Sequence, residues 1–396
     1  MPTRARIEAA LADADIRPGG DRAWDPAIHD DRIWRRVALG GASGLLDAWV
    51  DGWWTCPRPD ELFSRAMRDG ASDRLRWSWP NLWAFARDSL INAQTVARAR
   101  RHIRHHYDLG QPLFEAMLDA RMNYSCAFWE GARDLDQAQE AKCELICRKL
   151  GLQPHMRLLD IGCGWGGLIG YAAERFGCEC VGITLSADQA RYARTRYADL
   201  PVEVRLQDYR HVPDTFDRVA SVGMFEHVGA RNGAAFMRAV QRALKPDGLA
   251  LLHFFATQRG WPTIHRPEAV WVERNIFPGM AVPSLAQVGR AVEGRFVVED
   301  LHNFGVDYDP TLMAWHARFQ LAWPRLRETY GERFGRMWTI YLLICAGAFR
   351  SRRYQLWQLI LSARGVPGGY RRPRAAASAI ESRPTSAHRA GAPAHT

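Results

Sequence analysis

Apolar and polar positions alternate in regular blocks through the middle of this chain. Short apolar runs predict strands at 157–161, 178–184, 202–206, 216–222, 249–254 and 296–300. Between them, apolar residues recur at helical spacing. Ala138, Ala141, Leu145 and Leu150 mark a helix over 135–150 that Gly151 ends, and Leu168, Tyr171, Ala172 and Phe176 mark another that Gly177 ends. Ser186 reads as the N-cap of a helix over 187–197, and 236–244 is the next helix. Longer helices are expected at about 310–329 and 331–350. Strands and helices in alternation, joined by short turns such as Lys245-Pro246-Asp247-Gly248, imply an α/β fold with ligands at the carboxyl ends of parallel strands.

The flanking parts lack this alternation. A short helix around Ile7, Ala10 and Leu11 is expected to run to Gly19-Gly20, and an apolar stretch over 36–49 follows. Tryptophans then cluster at Trp53, Trp54, Trp77, Trp79 and Trp83, as in a small aromatic core or a surface that sits among lipid headgroups. A helical pattern over 82–103 ends in Arg98, Arg100, Arg101 and Arg104, so it reads either as an interfacial surface or as a packed helix with a solvated basic end. His102, His105 and His106 share a helix face without an acidic or thiol partner motif, and no metal site is expected there. Residues 258–292 read as an insertion, with Trp261 and Trp271 among loops.

The densest chemistry is Asp160-Ile161-Gly162-Cys163-Gly164-Trp165-Gly166-Gly167, a strand end running through glycines into a helix. Glycines let backbone approach a ligand, and the helix amino terminus offers free N–H donors. A carboxylate two residues before the first glycine resembles motif I of S-adenosylmethionine methyltransferases more than a dinucleotide loop. The next strand ends in Gly182-Ile183-Thr184-Leu185-Ser186 without the acid that often meets ribose hydroxyls, so Thr184 and Gln189 are the candidates for that contact. Gln207-Asp208-Tyr209 offers a carboxylate for an adenine amino group.

Composition narrows the picture. The 396 residues allow two domains, and 47% hydrophobic with 24% charged residues describe a globular protein. The first residues lack the apolar core of a signal peptide, and the longest apolar run, 337–349, is too short to span a bilayer. Eight cysteines without metal-ligand spacing read as free thiols of a reducing cytoplasm. The net charge of +10 is uneven: residues 350–396 carry nine Arg and only Glu381 as an acid, which favours a basic, disordered tail over 371–396.

Taken together, the strings resemble the cyclopropane-fatty-acyl-phospholipid synthase family, relatives of the mycolic acid cyclopropane synthases. The resemblance spans about residues 25–365. It is carried by Tyr124-Ser125-Cys126, the glycine loop, Gly182 to Ser186, Gln207 to Arg210, Ser221 to Gly229 with Glu226-His227, His253, His302 to Tyr308, and Cys345 to Arg350. Asp51 to Trp54 and His106 to Gly110 match the phospholipid-acting branch. The resemblance implies a seven-stranded, mostly parallel methyltransferase domain over 116–370, behind a helical, Trp-rich, membrane-docking unit over 1–115. It implies transfer of the S-adenosylmethionine methyl to a cis double bond of a phospholipid acyl chain, followed by proton loss to a bound bicarbonate and ring closure. It also implies a homodimer at the inner face of the membrane, with no nucleic acid partner.

Carried residue by residue, the resemblance gives bicarbonate contacts at Cys126, Glu226, His253, Tyr308 and the Phe255 backbone, and an active cysteine at Cys345. Cofactor contacts fall on Tyr124, Ser125, Asp160, Gly162, Cys163, Gly164, Trp165, Gly166, Gly167, Thr184, Leu185, Ser186, Gln189, Gln207, Asp208 and Tyr209. Tyr308, Phe255 and Phe225 are candidate aromatic faces for a cation. Phe255 stands where a smaller aliphatic residue is expected. Two other enzyme readings stay open: a lipid methyltransferase giving a methylene or methyl-branched chain, and a small-molecule methyltransferase. A non-enzymatic membrane- or nucleic-acid-binding protein would leave Glu226, His253 and Tyr308 unexplained.

Overall fold

The computed structural model describes residues 3–71, 110–229, 231–257 and 267–373. Its centre is a seven-stranded sheet in the order β5-β4-β3-β6-β7-β9-β8. The strands are β3 (Arg157–Ile161), β4 (Glu179–Thr184), β5 (Val202–Leu206), β6 (Phe216–Val222), β7 (Leu244–Thr257), β8 (Val297–Asn303) and β9 (Tyr354–Ser362). Strands β3 to β7 pair in parallel, and β9 is antiparallel to both β7 and β8. A two-stranded ribbon, β1 (Ala27–Ile28) with β2 (Trp54–Thr55), lies apart from it. The strand order reverses around β3, so the crevice for a ligand opens where β3 and β6 diverge at their carboxyl ends.

The helices among the described residues are α1 (Arg4–Asp13), α2 (Arg32–Val50), α3 (Pro59–Arg68), α4 (Gln111–Met117), α5 (Leu135–Lys149), α6 (Gly167–Phe176), α7 (Ala187–Arg196), α8 (Gly233–Ala243), α9 (Pro267–Asn275), α10 (Leu285–Val292), α11 (Tyr308–Tyr330) and α12 (Glu332–Arg350). Several begin where side chains satisfy free N–H groups. Asp134 accepts from Gln137 N at 2.9 Å, Ser186 accepts from Gln189 N at 3.4 Å, and Ser284 with Gln287 forms a capping box. Gly177, at φ 66°, ends α6 as its glycine suggests.

Five expectations need correction. Helix α1 stops at Asp13, and the chain turns back at Asp15 (φ 55°) well before Gly19-Gly20. The 245–248 turn is an excursion within β7, where Leu244 pairs with Phe216 and Leu249 with Arg218. The 258–292 insertion is not only loops: it carries α9 and α10, and Trp271 is buried, donating to Asp47 of α2 at 2.8 Å. Strand β9 has no counterpart in the sequence reading, since Tyr354 to Ser362 is buried almost throughout and lacks an alternating face. At the carboxyl end, Arg372 is not free: its guanidinium holds Asp300 at 3.0 Å and the Leu301 carbonyl at 2.9 Å.

The amino-terminal elements share a core with the last two helices. Trp49, Trp54 and Phe63 pack in one apolar cluster with Trp338, Tyr341 and Phe349. Trp49 donates to the Arg336 carbonyl at 3.1 Å, and Arg336 returns a bond to the Trp49 carbonyl at 2.7 Å. A side chain at Gly347 would strike the Asp60 carbonyl at 2.7 Å, so glycine sets how closely α12 approaches α3. The boundary expected between residues 115 and 116 falls inside α4. Trp77, Trp79, Trp83, Phe85, the 82–103 helix, the His102, His105 and His106 group, Tyr107 to Leu109, Trp261 and the tail beyond Pro373 lie outside the described residues.

Candidate active site

The glycine loop is shaped by what lies against it. Gly162 has φ 85°, and a Cβ there would meet Met224 at 2.8 Å. A Cβ at Gly167 would meet the Arg121 carbonyl at 2.7 Å. The segment facing the loop, 122–126, is tied down by Asp119, which accepts from the Asn123 backbone at 2.7 Å and its side chain at 2.9 Å. Together they line a polar cavity, partly open to solvent, of about 580 Å³.

Of the residues expected at the cofactor, Tyr124, Ser125, Asp160, Gly162, Cys163, Gly164, Trp165, Gly167 and Gln189 line this cavity. Asp160 is fully buried, and its Oδ1 has no hydrogen-bond partner among the described residues. Burial pushes its carboxyl up to about 7, with the nearby Lys142 pulling the other way. Lys142, itself buried on α5, donates to Ser125 Oγ at 2.9 Å. Thr184 donates to Gln189 Oε1 at 2.8 Å and accepts from Ser186 N at 3.2 Å. Thr184 and Ser186 thereby hold Gln189 from behind, and they do not line the cavity.

The remaining expected residues do not line it. Gly166 and Leu185 are not in its lining, and a Cβ on Gly166 would press on Tyr197 at 2.9 Å. Gln207 spends its amide on the His211 carbonyl at 2.6 Å. Asp208 is buried, accepts from Arg210 N at 3.0 Å, and has no partner for Oδ2 among the described residues. Tyr209 packs against Phe236 in the sheet core. Sequence reasoning missed Lys142, Asn123 and Gly223, which also line the cavity. A lysine at helical spacing among apolar positions was the available signal, because only three lysines occur in the chain.

A second cavity of about 910 Å³ is overwhelmingly apolar, walled by residues such as Phe277, Leu312, Trp315, Ile344 and Phe349. It shares Tyr124 and Gly223 with the polar cavity, so the two adjoin at those residues. Phe255, Tyr308 and Tyr354 form an aromatic corner in it, with Tyr308 stacked on Phe349 at 4.2 Å. Phe225 is elsewhere, packed between Phe236 and Phe254 in the sheet core, so it offers no face to either cavity.

Beside this corner sit the groups that sequence reasoning singled out. Glu226 follows β6 on a short 3-10 turn and is fully buried. Its Oε1 accepts from Phe255 N at 2.8 Å, and its Oε2 has no partner among the described residues. Burial pushes its carboxyl up to about 7 against those backbone N–H groups. The Phe255 amide N–H is therefore engaged by Glu226.

His253 lies two residues before Phe255 on β7, on the same face of the strand. Burial, then Lys142 and Lys149, hold its imidazole well below the usual range, so it is neutral. Its Nδ1 is bonded to Gln358 Nε2 at 3.0 Å, and its Nε2 has no partner among the described residues. The Tyr308 phenol is raised by burial and then by neighbouring Cys126 and Glu226. Cys126 is buried among Phe304 and Leu356, against Phe255 and Tyr308, and burial raises its thiol. Cys345 lines the apolar cavity, and burial pushes its thiol up to about 12.

Comparisons with known proteins identify the relatives of this chain. A sequence model of the family described as mycolic acid cyclopropane synthetase matches residues 94–359. The chain is 45% identical over 361 residues to cyclopropane-fatty-acyl-phospholipid synthase of Escherichia coli K12, covering 91% of this chain and 93% of that protein. It is 34% identical over 267 residues to cyclopropane mycolic acid synthase 1 of Mycobacterium tuberculosis H37Ra, covering 63% of this chain and 92% of that protein. Among solved structures, mycolic acid cyclopropane synthase CmaA1 in complex with SAH and CTAB aligns with a TM-score of 0.63 and 32% identity, over 66% of this chain and 97% of that one.

Proposed function

This chain belongs to the mycolic acid cyclopropane synthetase family, and from that premise we propose that it is a cyclopropane-fatty-acyl-phospholipid synthase. It converts a cis double bond in a phospholipid acyl chain into a cyclopropane, with S-adenosylmethionine as methyl donor. The observation that carries this reading is the meeting of a polar cavity and a large apolar one at Tyr124 and Gly223, beside two buried polar atoms, Glu226 Oε2 and His253 Nε2, that lack partners among the described residues.

The polar cavity fits the cofactor. Asp160 offers a buried acceptor for a cationic or hydroxyl group on the cavity wall, and Asp208 Oδ2, outside the lining, is a second buried acceptor, proposed for an amino group. When bound, S-adenosylmethionine supplies an electrophilic sulfonium methyl. This chain's part is to align it: the loop glycines and the Tyr124 segment fix the donor on one side of the junction, and the apolar walls fix the alkene on the other. Excluding water protects a cationic acyl chain, and the faces of Tyr308 and Phe255 stabilise it.

The Glu226 and His253 atoms fit a small anion carrying one O–H. Glu226 Oε2 accepts that O–H, while His253 Nε2 and the Tyr308 hydroxyl donate to the remaining oxygens. Bicarbonate matches this donor set, and it supplies the base for the proton lost before ring closure. A 1,2-hydride shift that moves the cation to the methyl-bearing carbon, followed by loss of a methyl proton, would give a methylene chain instead. Cys345 serves as wall: a thiol pushed up to about 12 carries almost no thiolate at neutral pH. Cys345→Ala is accordingly expected to keep turnover within about threefold, whereas a nucleophilic role predicts a loss beyond a hundredfold.

The amino-terminal unit is proposed to dock on the membrane. Trp53 lies under Arg32 and Arg36, and Trp24 under Arg22 and Arg65, which gives an aromatic surface whose arginines are each also paired with a carboxylate. No helix among the described residues is long and apolar enough to cross a bilayer. A homodimer would place two such surfaces on one bilayer and raise the effective affinity.

Methyl incorporation from labelled S-adenosylmethionine into the lipid extract of cis-unsaturated vesicles tests the reading. Incorporation that falls when bicarbonate is stripped from the buffer and returns on its addition supports both substrate class and base. Equal incorporation with and without bicarbonate would remove it as the base, and none into lipid would remove the substrate class.

A further inference from the structure

Register places three polar side chains in one row across the antiparallel edge of the sheet. His253 of β7 is opposite Gln358 of β9, and Gln358 is opposite His302 of β8. Directly opposed residues project from the same face, so the three side chains are neighbours by construction. Lys149, in the last turn of α5, closes the row from above. It is fully buried, and its Nζ lies 2.8 Å from Gln358 Oε1 and 3.0 Å from His302 Nδ1, with Asp300 Oδ2 at 3.7 Å.

A buried lysine is costly, and this one has no part in the chemistry derived above. Its effect lies in the hydrogens it forces. An ammonium only donates, so the Gln358 atom facing it must be the amide oxygen. The amide nitrogen then faces His253 and donates to Nδ1 at 3.0 Å. A neutral imidazole that accepts at Nδ1 carries its proton on Nε2. Nε2 is the buried atom without a partner among the described residues, on a ring that packs against Phe304 at 5.7 Å. Burial, helped by Arg372, outweighs Asp300 and brings the lysine down to about 7; below that pH it is the ammonium, and above it the amine still has N–H groups to donate to Oε1.

We propose that Lys149 and Gln358 are positioning residues that lock His253 in the Nε2–H tautomer, so that it presents a donor to the anion at the reaction centre. Resting on the bicarbonate reading, this assigns two residues outside the site to the orientation of one inside it. The opposite tautomer would set a lone pair against an anionic oxygen.

Gln358→Glu is the discriminating substitution. It has nearly the same shape and still pairs with Lys149, yet its carboxylate can only accept, so it turns the His253 proton to Nδ1. In full-length protein labelled with ¹⁵N-histidine, long-range ¹H–¹⁵N correlation reads the tautomer directly. The His253 signals are identified by their loss in His253→Gln. The parent protein is expected to show a protonated Nε2 and bare Nδ1, and Gln358→Glu the reverse. Turnover on vesicles is expected to fall at least about tenfold in Gln358→Glu, with S-adenosylmethionine affinity unchanged. Lys149→Met, which frees the amide to turn over, is expected to give a mixture of tautomers and an intermediate loss.

A parent His253 protonated on Nδ1 would overturn the proposal. So would a tautomer that reverses in Gln358→Glu with no loss of turnover. Because the tautomer is read without bicarbonate, a failure of this proposal is distinct from a failure of bicarbonate as base, which the stripped-buffer assay reports.

Discussion

Replacing Glu226 with Gln is expected to lower turnover by about two to three orders of magnitude while S-adenosylmethionine binds as before. The carboxylate sits beside the apolar cavity, outside the cofactor's cradle, so the two readouts separate. Oε1 is held by the Phe255 amide at 2.8 Å, which leaves Oε2 to accept a proton-bearing ligand. In the glutamine variant, the same backbone N–H claims the amide oxygen. The NH2 group then replaces Oε2, and an acceptor becomes a donor facing an O–H. Calorimetric cofactor binding and the lipid assay check both halves. Turnover within threefold of the parent would remove Glu226 from the chemistry.

The second large effect concerns Asp160. Asp160→Asn is expected to weaken S-adenosylmethionine binding about 10- to 100-fold, as loss of a charge-assisted hydrogen bond would. The same change is expected to stabilise the ligand-free protein, and the gain depends on pH. Burial raises the folded-state value to about 7, above the ordinary 3.8, so folding favours the protonated carboxyl. Below pH about 4 the group is neutral in both states and there is no penalty. The penalty grows by about 1.4 kcal/mol for each pH unit climbed between the two values, and it is complete above pH about 7. The advantage of Asp160→Asn in chemical denaturation should therefore be small near pH 4.5 and largest near pH 8. A gain independent of pH would show that Asp160 is not desolvated in the free protein.

Much of this was legible from residues alone because strand ends and glycines are local signals. Gly162, Gly167 and Gly177 announce a turn, a close approach and a helix stop whatever surrounds them. The pairing of Glu226 with the Phe255 amide was not legible, since it depends on how a turn after one strand meets the backbone of the next. Strand β9 was hidden because a strand covered on both faces shows no alternation, and with it went Gln358 and the row across to Lys149. Phe225 and Phe255 look alike in the chain, yet one faces the sheet core and the other the cavity, a distinction only packing draws. Lys142 and Lys149 were passed over because lysine is ordinarily a surface residue, whereas both are fully buried here.

The most direct measurement is the identity of the lipid product. Purified protein would be incubated with S-adenosylmethionine, bicarbonate and vesicles of cis-unsaturated phospholipid, and the released fatty acids separated by gas chromatography against cyclopropane and methylene standards. Two cavities meeting beside Glu226 and His253 predict a peak that coelutes with the cyclopropane standard and grows with time. A protein that binds the cofactor yet leaves every acyl chain unmodified would contradict the account.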